Sequence, residues 1–333
     1  MDLGGFAATI VMLVVIALAF DFMNGFHDAA NSIATVVSTG VLKPYQAVIW
    51  AAFFNFVAVL LFELKVAATV GKGIVDPDIV DNHVIFGALI GAISWNVITW
   101  YYGLPSSSSH ALIGGMIGAT VAKAGTAPLL APGIVKTMSF IVVAPLLGML
   151  LSGLIIVAVS WICRRRTQRQ TDRWFRKLQL VSSAMYSIGH GGNDAQKTMG
   201  IIWLLLMSAG LATPQHLPGW VVISCYVAIA LGTLFGGWRI VKTMGQRITK
   251  LKPVGGFAAE TGGAISLFLA TNLGIPVSTT HTITGAIIGV GTAQRARAVR
   301  WGIAGNVVAA WVVTIPASAL IAGAAWWIGW RLF

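Results

Sequence analysis

A carboxylate, an amide and a hydroxyl recur together twice in this chain, each time within strongly apolar sequence. The first cluster reads Gly25-Phe26-His27-Asp28-Ala29-Ala30-Asn31-Ser32 and the second Gly191-Gly192-Asn193-Asp194-Ala195-Gln196-Lys197-Thr198. Asp28 and Asp194 stand 166 positions apart (194 − 28). An ionised carboxylate inside a bilayer is expensive, so it faces a cavity, pairs, or holds a cation. Asp28 with Asn31, and Asp194 with Lys197, are three residues apart and share one face if helical. Oxygens from Asp28, Asn31 and Asp194 are hard ligands suited to sodium, or carboxylates that can carry a proton. His27 can relay protons, because an imidazole ordinarily titrates near ~6.5. Lys197 either pairs with Asp194 or neutralises part of an anionic substrate. A bland polar clamp between helices does not require two copies.

A second duplicated element has the chemistry of an anion cradle. Gly103-Leu104-Pro105-Ser106-Ser107-Ser108-Ser109-His110 is matched by Gly274-Ile275-Pro276-Val277-Ser278-Thr279-Thr280-His281, with the histidines 171 positions apart (281 − 110). A helix starting just after each proline aims free N–H groups and a positive dipole end at the tip. Ser106, Ser107, Ser108 and Ser109, with Ser278, Thr279 and Thr280, add donors without permanent charge. Such a pocket fits a tetrahedral oxyanion that must also leave. Serine-rich helix starts also serve as ordinary N-caps, and duplication is what favours the cradle. His110 and His281 are expected to orient the tips through hydrogen bonds. A Ser/His hydrolase needs one activated serine and one oxyanion hole, which near-copies in both halves do not suit, so no enzyme is expected. No HExxH motif or cysteine pair supports zinc.

Composition sets the elements that carry these clusters. Over 333 residues the chain is 57% hydrophobic and 10% charged, with mean hydropathy +0.83, which excludes an ordinary soluble domain. Its net charge of +12 is concentrated in Arg164–Lys177, Arg239–Lys252 and Arg295–Arg300, between apolar segments. That placement reads as the positive-inside rule rather than nucleic-acid binding. The loop with Asp76, Asp78 and Asp81 then belongs outside. Cys163 and Cys225 are too few for a disulfide framework, and no Lys or Arg precedes the first apolar run, as a cleavable signal would need.

Apolar segments fall at 5–24, 45–70, 83–102, 109–123, 134–162, 179–211, 219–241, 255–272, 280–292 and 300–330. The reading is an all-α polytopic membrane protein of 10–12 helical segments. The first repeat is 1–162, a basic cytoplasmic connector is 163–178, and the second repeat is 179–333. An odd number of segments per half inverts the second repeat, placing both termini outside and the basic loops in the cytoplasm. Segments 83–123 and 255–292 are expected to be hairpins turning inside the protein, where hydroxyls satisfy the turn backbone. Gly114 and Gly118, mirrored by Gly285 and Gly289, give each second hairpin helix a small-xxx-small face. The glycines at 25 and 189–192 suggest that the first and sixth segments are broken helices. Asp21 and Glu260 carry no assigned role.

These elements together resemble the inorganic phosphate transporter (PiT) family. Its hallmark is a duplicated Gly-x-Asn-Asp-(Val/Ala)-x-(Asn/Lys) element with Pro-(Val/Ala)-Ser-(Ser/Thr)-(Ser/Thr)-His tips. Here they read GFHDAANS and GGNDAQKT, with PSSSSH and PVSTTH. The resemblance spans almost the whole chain and implies an inverted-repeat helical bundle that forms a homodimer in the cell inner membrane. It implies phosphate at residues 106–109 and 278–280 with Gln196 and Lys197, and cation coupling at Asp28, Asn31, Asp194, Asn193 and His27. His27, where many members have asparagine, resembles the bacterial low-affinity, proton-linked branch. Some sodium-coupled relatives carry a glutamate where this chain has Asn55, whereas Glu260 resembles a glutamate of that branch. The implied activity is phosphate import by proton or sodium symport, with magnesium accompanying phosphate as an alternative. No cofactor is expected. A sulfate permease on the same scaffold and a channel are the rivals.

Overall fold

The computed structural model describes residues 3–332, and the regular structure among them is helical. α1 (Leu3–Ser38) is followed by α2 (Pro44–Val57), α3 (Lys65–Gly73), the hairpin of α4 (Asn82–Tyr102) and α5 (Ser108–Ala124), and α6 (Ala131–Ile162). The same order then returns as α7 (Gln168–Ser208), α8 (Gly219–Phe235), α9 (Trp238–Lys242), the hairpin of α10 (Pro253–Asn272) and α11 (Thr279–Arg295), and α12 (Trp301–Leu332). Among the described residues, five helices are long and apolar enough to cross a membrane, or up to seven spans if each of the bent pairs α2–α3 and α8–α9 counts as one. The expected 10–12 helical segments are met because the apolar stretches 45–70 and 219–241 each divide into two helices.

Broken helices are present, but not at the glycine clusters. α1 runs unbroken for 36 residues through Asp28, and α7 for 41 residues through Asp194. The sharp bends fall instead between α2 and α3, at 82°, and between α8 and α9, at 62°. The glycines let helices cross closely. A Cβ at Gly25 would sit 2.2 Å from the Ile229 carbonyl oxygen of α8, and one at Gly191 would sit 2.4 Å from the Asn55 carbonyl oxygen of α2. Both crossings use the same position of the repeated element. The basic stretch after α6 is also more ordered than a loop: Thr167 caps Gln170 N–H, and α7 starts at Gln168.

The hairpins turn identically. Gly103 and Gly274 both adopt φ of 65°, the left-handed conformation that glycine tolerates best. Leu104 N–H donates to Thr99 O at 2.9 Å, and Ile275 N–H donates to Ala270 O at 2.9 Å, closing matched helix ends. Each second helix is then capped by serine. Ser107 Oγ accepts from His110 N–H, and Ser278 Oγ accepts from His281 N–H, each at 3.2 Å. Both tips lie in the protein interior, as the sequence leads one to expect; Ser106–Ser109 and Ser278–Thr280 are all buried.

Each hairpin is covered by the other half of the chain. α5 packs on α12, where Cβ atoms at Gly114 and Gly118 would strike the carbonyl oxygens of Ile315 and Ala319. α11 packs on α6, where Gly285 and Gly289 meet the carbonyl oxygens of Pro145 and Met149. α6 and α12 each carry one internal proline, Pro145 and Pro316, next to these crossings. Small residues allow such close backbone approach, and dispersion is joined there by a hydrogen bond from Ser152 Oγ of α6 to Ala286 O of α11 at 2.8 Å.

Candidate functional site

The C-terminal halves of α1 and α7 bring Asp28 and Asp194 to the two buried tips. On the α1 side, His27 Nδ1 lies 2.6 Å from Asp28 Oδ1, and His27 Nε2 lies 3.1 Å from Thr99 Oγ1. Ser106 Oγ donates to the same Thr99 hydroxyl at 2.8 Å. His27 therefore links the α1 carboxylate to the first tip. Asn31 Nδ2 reaches the second tip, donating to Thr279 Oγ1 at 3.1 Å and to Thr280 Oγ1 at 3.0 Å. Thr280 Oγ1 in turn donates to Asp28 Oδ1 at 3.4 Å.

The α7 side is held by a cation of its own. Lys197 Nζ donates to Asp194 Oδ1, to Ser109 Oγ at 2.5 Å and to Val277 O at 2.7 Å. Thr279 Oγ1 donates to Asp194 Oδ2 at 3.0 Å. Lys197 thus pairs with Asp194, one of the two roles open in the sequence, and also touches both tips. An ammonium buried among three acceptors is satisfied, whereas a lone one would cost several kcal/mol (~3–5).

Three ligand atoms, one each from Asp28, His190 and Asp194, lie within 4.8 Å of one another. His190 Nε2 is 3.2 Å from Asp194 Oδ2, and its Nδ1 is 3.1 Å from Asn55 Oδ1. Asn55, bound through Nδ2 to Thr233 at 2.9 Å, fixes the ring orientation. The sequence grouped Asp28 and Asp194 with Asn31 as cation ligands. In the fold the third member of the cluster is His190, one turn before Asp194, and i,i+4 spacing was the signal that could have found it. Asn31 Oδ1 remains buried with no hydrogen-bond partner.

Two predicted site residues are engaged elsewhere. Gln196 Oε1 accepts from Val66 N–H at 3.0 Å and Ala67 N–H at 3.3 Å, while its Nε2 donates to Glu63 O at 3.0 Å. It caps α3 at the bend and is not part of the tip cradle. Asn193 Nδ2 donates to Thr271 Oγ1 at 3.0 Å and to Ile275 O at 3.1 Å, and its Oδ1 accepts from Val277 N–H at 3.1 Å. Those bonds shape the second hairpin turn. The histidines after the tips also differ from expectation: serines do the capping, and the rings of His110 and His281 meet edge to face with centroids 4.6 Å apart. His281 stacks at 3.7 Å on Trp311 of α12. Glu260, unassigned in the sequence, accepts from Thr35 at 2.6 Å, Gln179 at 3.0 Å and Ser182 at 2.5 Å.

A buried pair of hydroxyl-rich helix starts facing paired carboxylates, in a bundle of apolar spanning helices, defines a multi-pass membrane protein built around a buried polar centre. The profile described as the phosphate transporter family matches residues 24–322, and the chain belongs to that family. It is 63% identical to a probable low-affinity inorganic phosphate transporter of Rhizobium meliloti (strain 1021), over 94% of each chain. It is 46% identical to a protein of the same description from Bacillus subtilis (strain 168), over 96% of each chain. Its fold is similar to a solved structure described as the sodium-dependent phosphate transporter, with a TM-score of 0.86 at 24% identity, covering 98% of this chain and all of the other.

Proposed function

We propose that the chain is a secondary transporter that imports inorganic phosphate by symport with protons or sodium. The observation that carries this reading is the convergence of both hydroxyl tips on Asp28 and Asp194 in one buried site. Phosphate sits between the starts of α5 and α11, where Ser106–Ser109 and Ser278–Thr280 donate and the helix dipoles favour negative charge. Ser108 Oγ, buried without a protein partner, is available to it. Lys197 offsets part of the anion's charge. Asp28, Asp194 and His190 hold the coupled cation, with Asn31 Oδ1 as a further oxygen ligand and His27 as the proton relay. Two carboxylates beside an anion make physical sense only when a cation enters too.

The repeated element order supports two repeats of opposite membrane orientation, 1–162 and 179–333, joined by the basic connector 163–178. Both termini then face outward and the basic loops face the cytoplasm of the inner membrane. Two copies form a homodimer in the bilayer. Membership of a transporter family supports transport rather than catalysis.

Labelled phosphate uptake into proteoliposomes tests this under an inward proton gradient, an inward sodium gradient and no gradient, each with and without magnesium. Accumulation above equilibrium under either gradient is the expected result, and the active gradient identifies the coupled ion. A requirement for magnesium identifies a metal–phosphate complex as the cargo. Sulfate that competes fully with phosphate would shift the substrate to oxyanions in general. No gradient-driven uptake by folded protein overturns the reading.

A further inference from the structure

Seven of the fourteen residues from Arg164 to Lys177 are basic and one, Asp172, is acidic. The fold holds that charge on an ordered surface without balancing it. Arg166, Arg169 and Arg173, with Trp174, line a cavity of about 480 Å³ where the loop after α6 enters α7. Arg169 and Arg173 are four residues apart and share one face of α7, an unfavourable placement for like charges. Arg166 adds a third, its guanidinium 5.8 Å from the centre of the Trp174 ring. Among the described residues none of the three pairs with a carboxylate, and Asp172 forms no ion pair either. A concave cluster of unbalanced guanidiniums is completed by an anion from outside the chain, and phosphate oxygens match the planar fork of arginine.

A second cavity begins one residue earlier in the chain. Ile156, Val157 and Trp161 of α6, with Ala293 and Gln294 of α11, line a groove of about 550 Å³ that also takes Arg164 as a wall. Val157 and Trp161 are exposed along it. The Arg164 guanidinium lies 4.7 Å from the centre of the Trp161 ring. Tryptophan and arginine at a helix end settle at the membrane surface, rings among the head groups and charge toward water. The apolar groove and the basic cavity take the bonded neighbours Arg164 and Cys163 as walls, so the two adjoin. We propose that this face binds an anionic glycerophospholipid, with its phosphodiester at Arg166, Arg169 and Arg173 and an acyl chain along Val157 and Trp161. The unbalanced charge selects an anionic head over a zwitterionic one. The groove selects a lipid over free phosphate, which has no chain to place there. The site lies outside the buried centre and does not depend on phosphate transport; only its assignment to the cytoplasmic leaflet rests on the orientation proposed above.

Native mass spectrometry of the purified full-length protein, titrated with phosphatidylglycerol or with phosphatidylcholine of identical chains, tests the site. The wild type is expected to bind phosphatidylglycerol about tenfold more tightly. Arg166→Gln, Arg169→Gln and Arg173→Gln made together are expected to cut that preference to within about twofold. Arg247→Gln, Lys250→Gln and Lys252→Gln remove the same charge from another exposed basic stretch and are expected to leave the preference intact. Val157→Asn, which puts a polar group in the groove, is expected to weaken both lipids about fivefold without changing their ratio. A wild-type preference in the Arg166 set overturns the proposal, as does an equal loss in the Arg247 set. Displacement of phosphatidylglycerol by inorganic phosphate at equal concentration also overturns it, because the site would then hold a free anion. If the Arg166 set does not fold, wild-type affinity of Val157→Asn for both lipids overturns it instead.

Discussion

Asn31 of α1 donates to Thr280 at the start of α11 at 3.0 Å, tying the first repeated motif to the second hairpin. Its counterpart Lys197 makes the opposite crossing, from α7 to Ser109 on the first hairpin at 2.5 Å. Each motif therefore reads the other half's tip. A change of either hairpin is felt at both carboxylates.

Lys197→Met leaves Asp194 buried without its strongest partner. Removing one member of a buried pair costs about 3–5 kcal/mol. The expected outcome is a large loss of thermal stability together with loss of phosphate uptake. A variant of wild-type stability and uptake would show that the ammonium is dispensable.

Thr279 accepts from Asn31 and donates to Asp194, so Thr279→Val severs a bond on each side of the site. One lost hydrogen bond to a charged group is worth about 1.5–3 kcal/mol. Half-saturation for phosphate uptake is expected to rise at least tenfold, while Ser160→Ala, on the exterior of α6, leaves it unchanged.

Gln196→Ala separates a structural from a substrate role. Uncapping α3 is expected to lower stability by about 1–2 kcal/mol, read as an earlier melting transition. The apparent affinity for phosphate should stay within about twofold, since no bond of Gln196 reaches a tip.

The close crossings predict opposite outcomes for the same substitution. Gly25→Ala and Gly191→Ala place a methyl against a backbone carbonyl that cannot step aside, and both should abolish the folded protein in size-exclusion chromatography. Gly302→Ala meets nothing within 4 Å in α12 and should match or slightly exceed the wild-type stability.

Asp81, at the start of α4, gives a pH-dependent contribution outside the spanning segments. Partial burial pushes its carboxyl up, but hydrogen bonds from Lys123 and Val84 N–H, with the Lys123 charge, hold it below the ordinary carboxylate value. A lowered value in the folded state means stability that is complete above the unfolded carboxylate range and is lost as pH falls through the folded value. The pair is 40% exposed on the Asp81 side, so its worth is about 0.5 kcal/mol. Lys123→Ala should therefore lower the neutral region of a melting-temperature profile slightly, match the wild type at acid pH, and so flatten the acid limb between them.

Much of this arrangement was legible in the residues. Duplication alone paired Asp28 with Asp194 and the PSSSSH tip with PVSTTH, and burial of hydroxyls at Pro-bearing turns followed from the need to satisfy backbone in lipid. What sequence reasoning missed depends on partners distant along the chain. Gly25 and Gly191 look like helix breakers until the Ile229 and Asn55 carbonyls beside them are known. Gln196 lies between Asp194 and Lys197 in sequence, yet its side chain points to a helix start 130 residues earlier. His190 sits one turn before Asp194, but only tertiary packing turns it toward both carboxylates.

The exchange of hairpin partners has a consequence for assembly. The α4–α5 hairpin rests on α12, and the α10–α11 hairpin rests on α6, so each half completes the cover of the other's hairpin. Either half alone would leave its hairpin and its last helix without that partner. Expressed as two separate polypeptides, the halves should accumulate in the membrane only when made together.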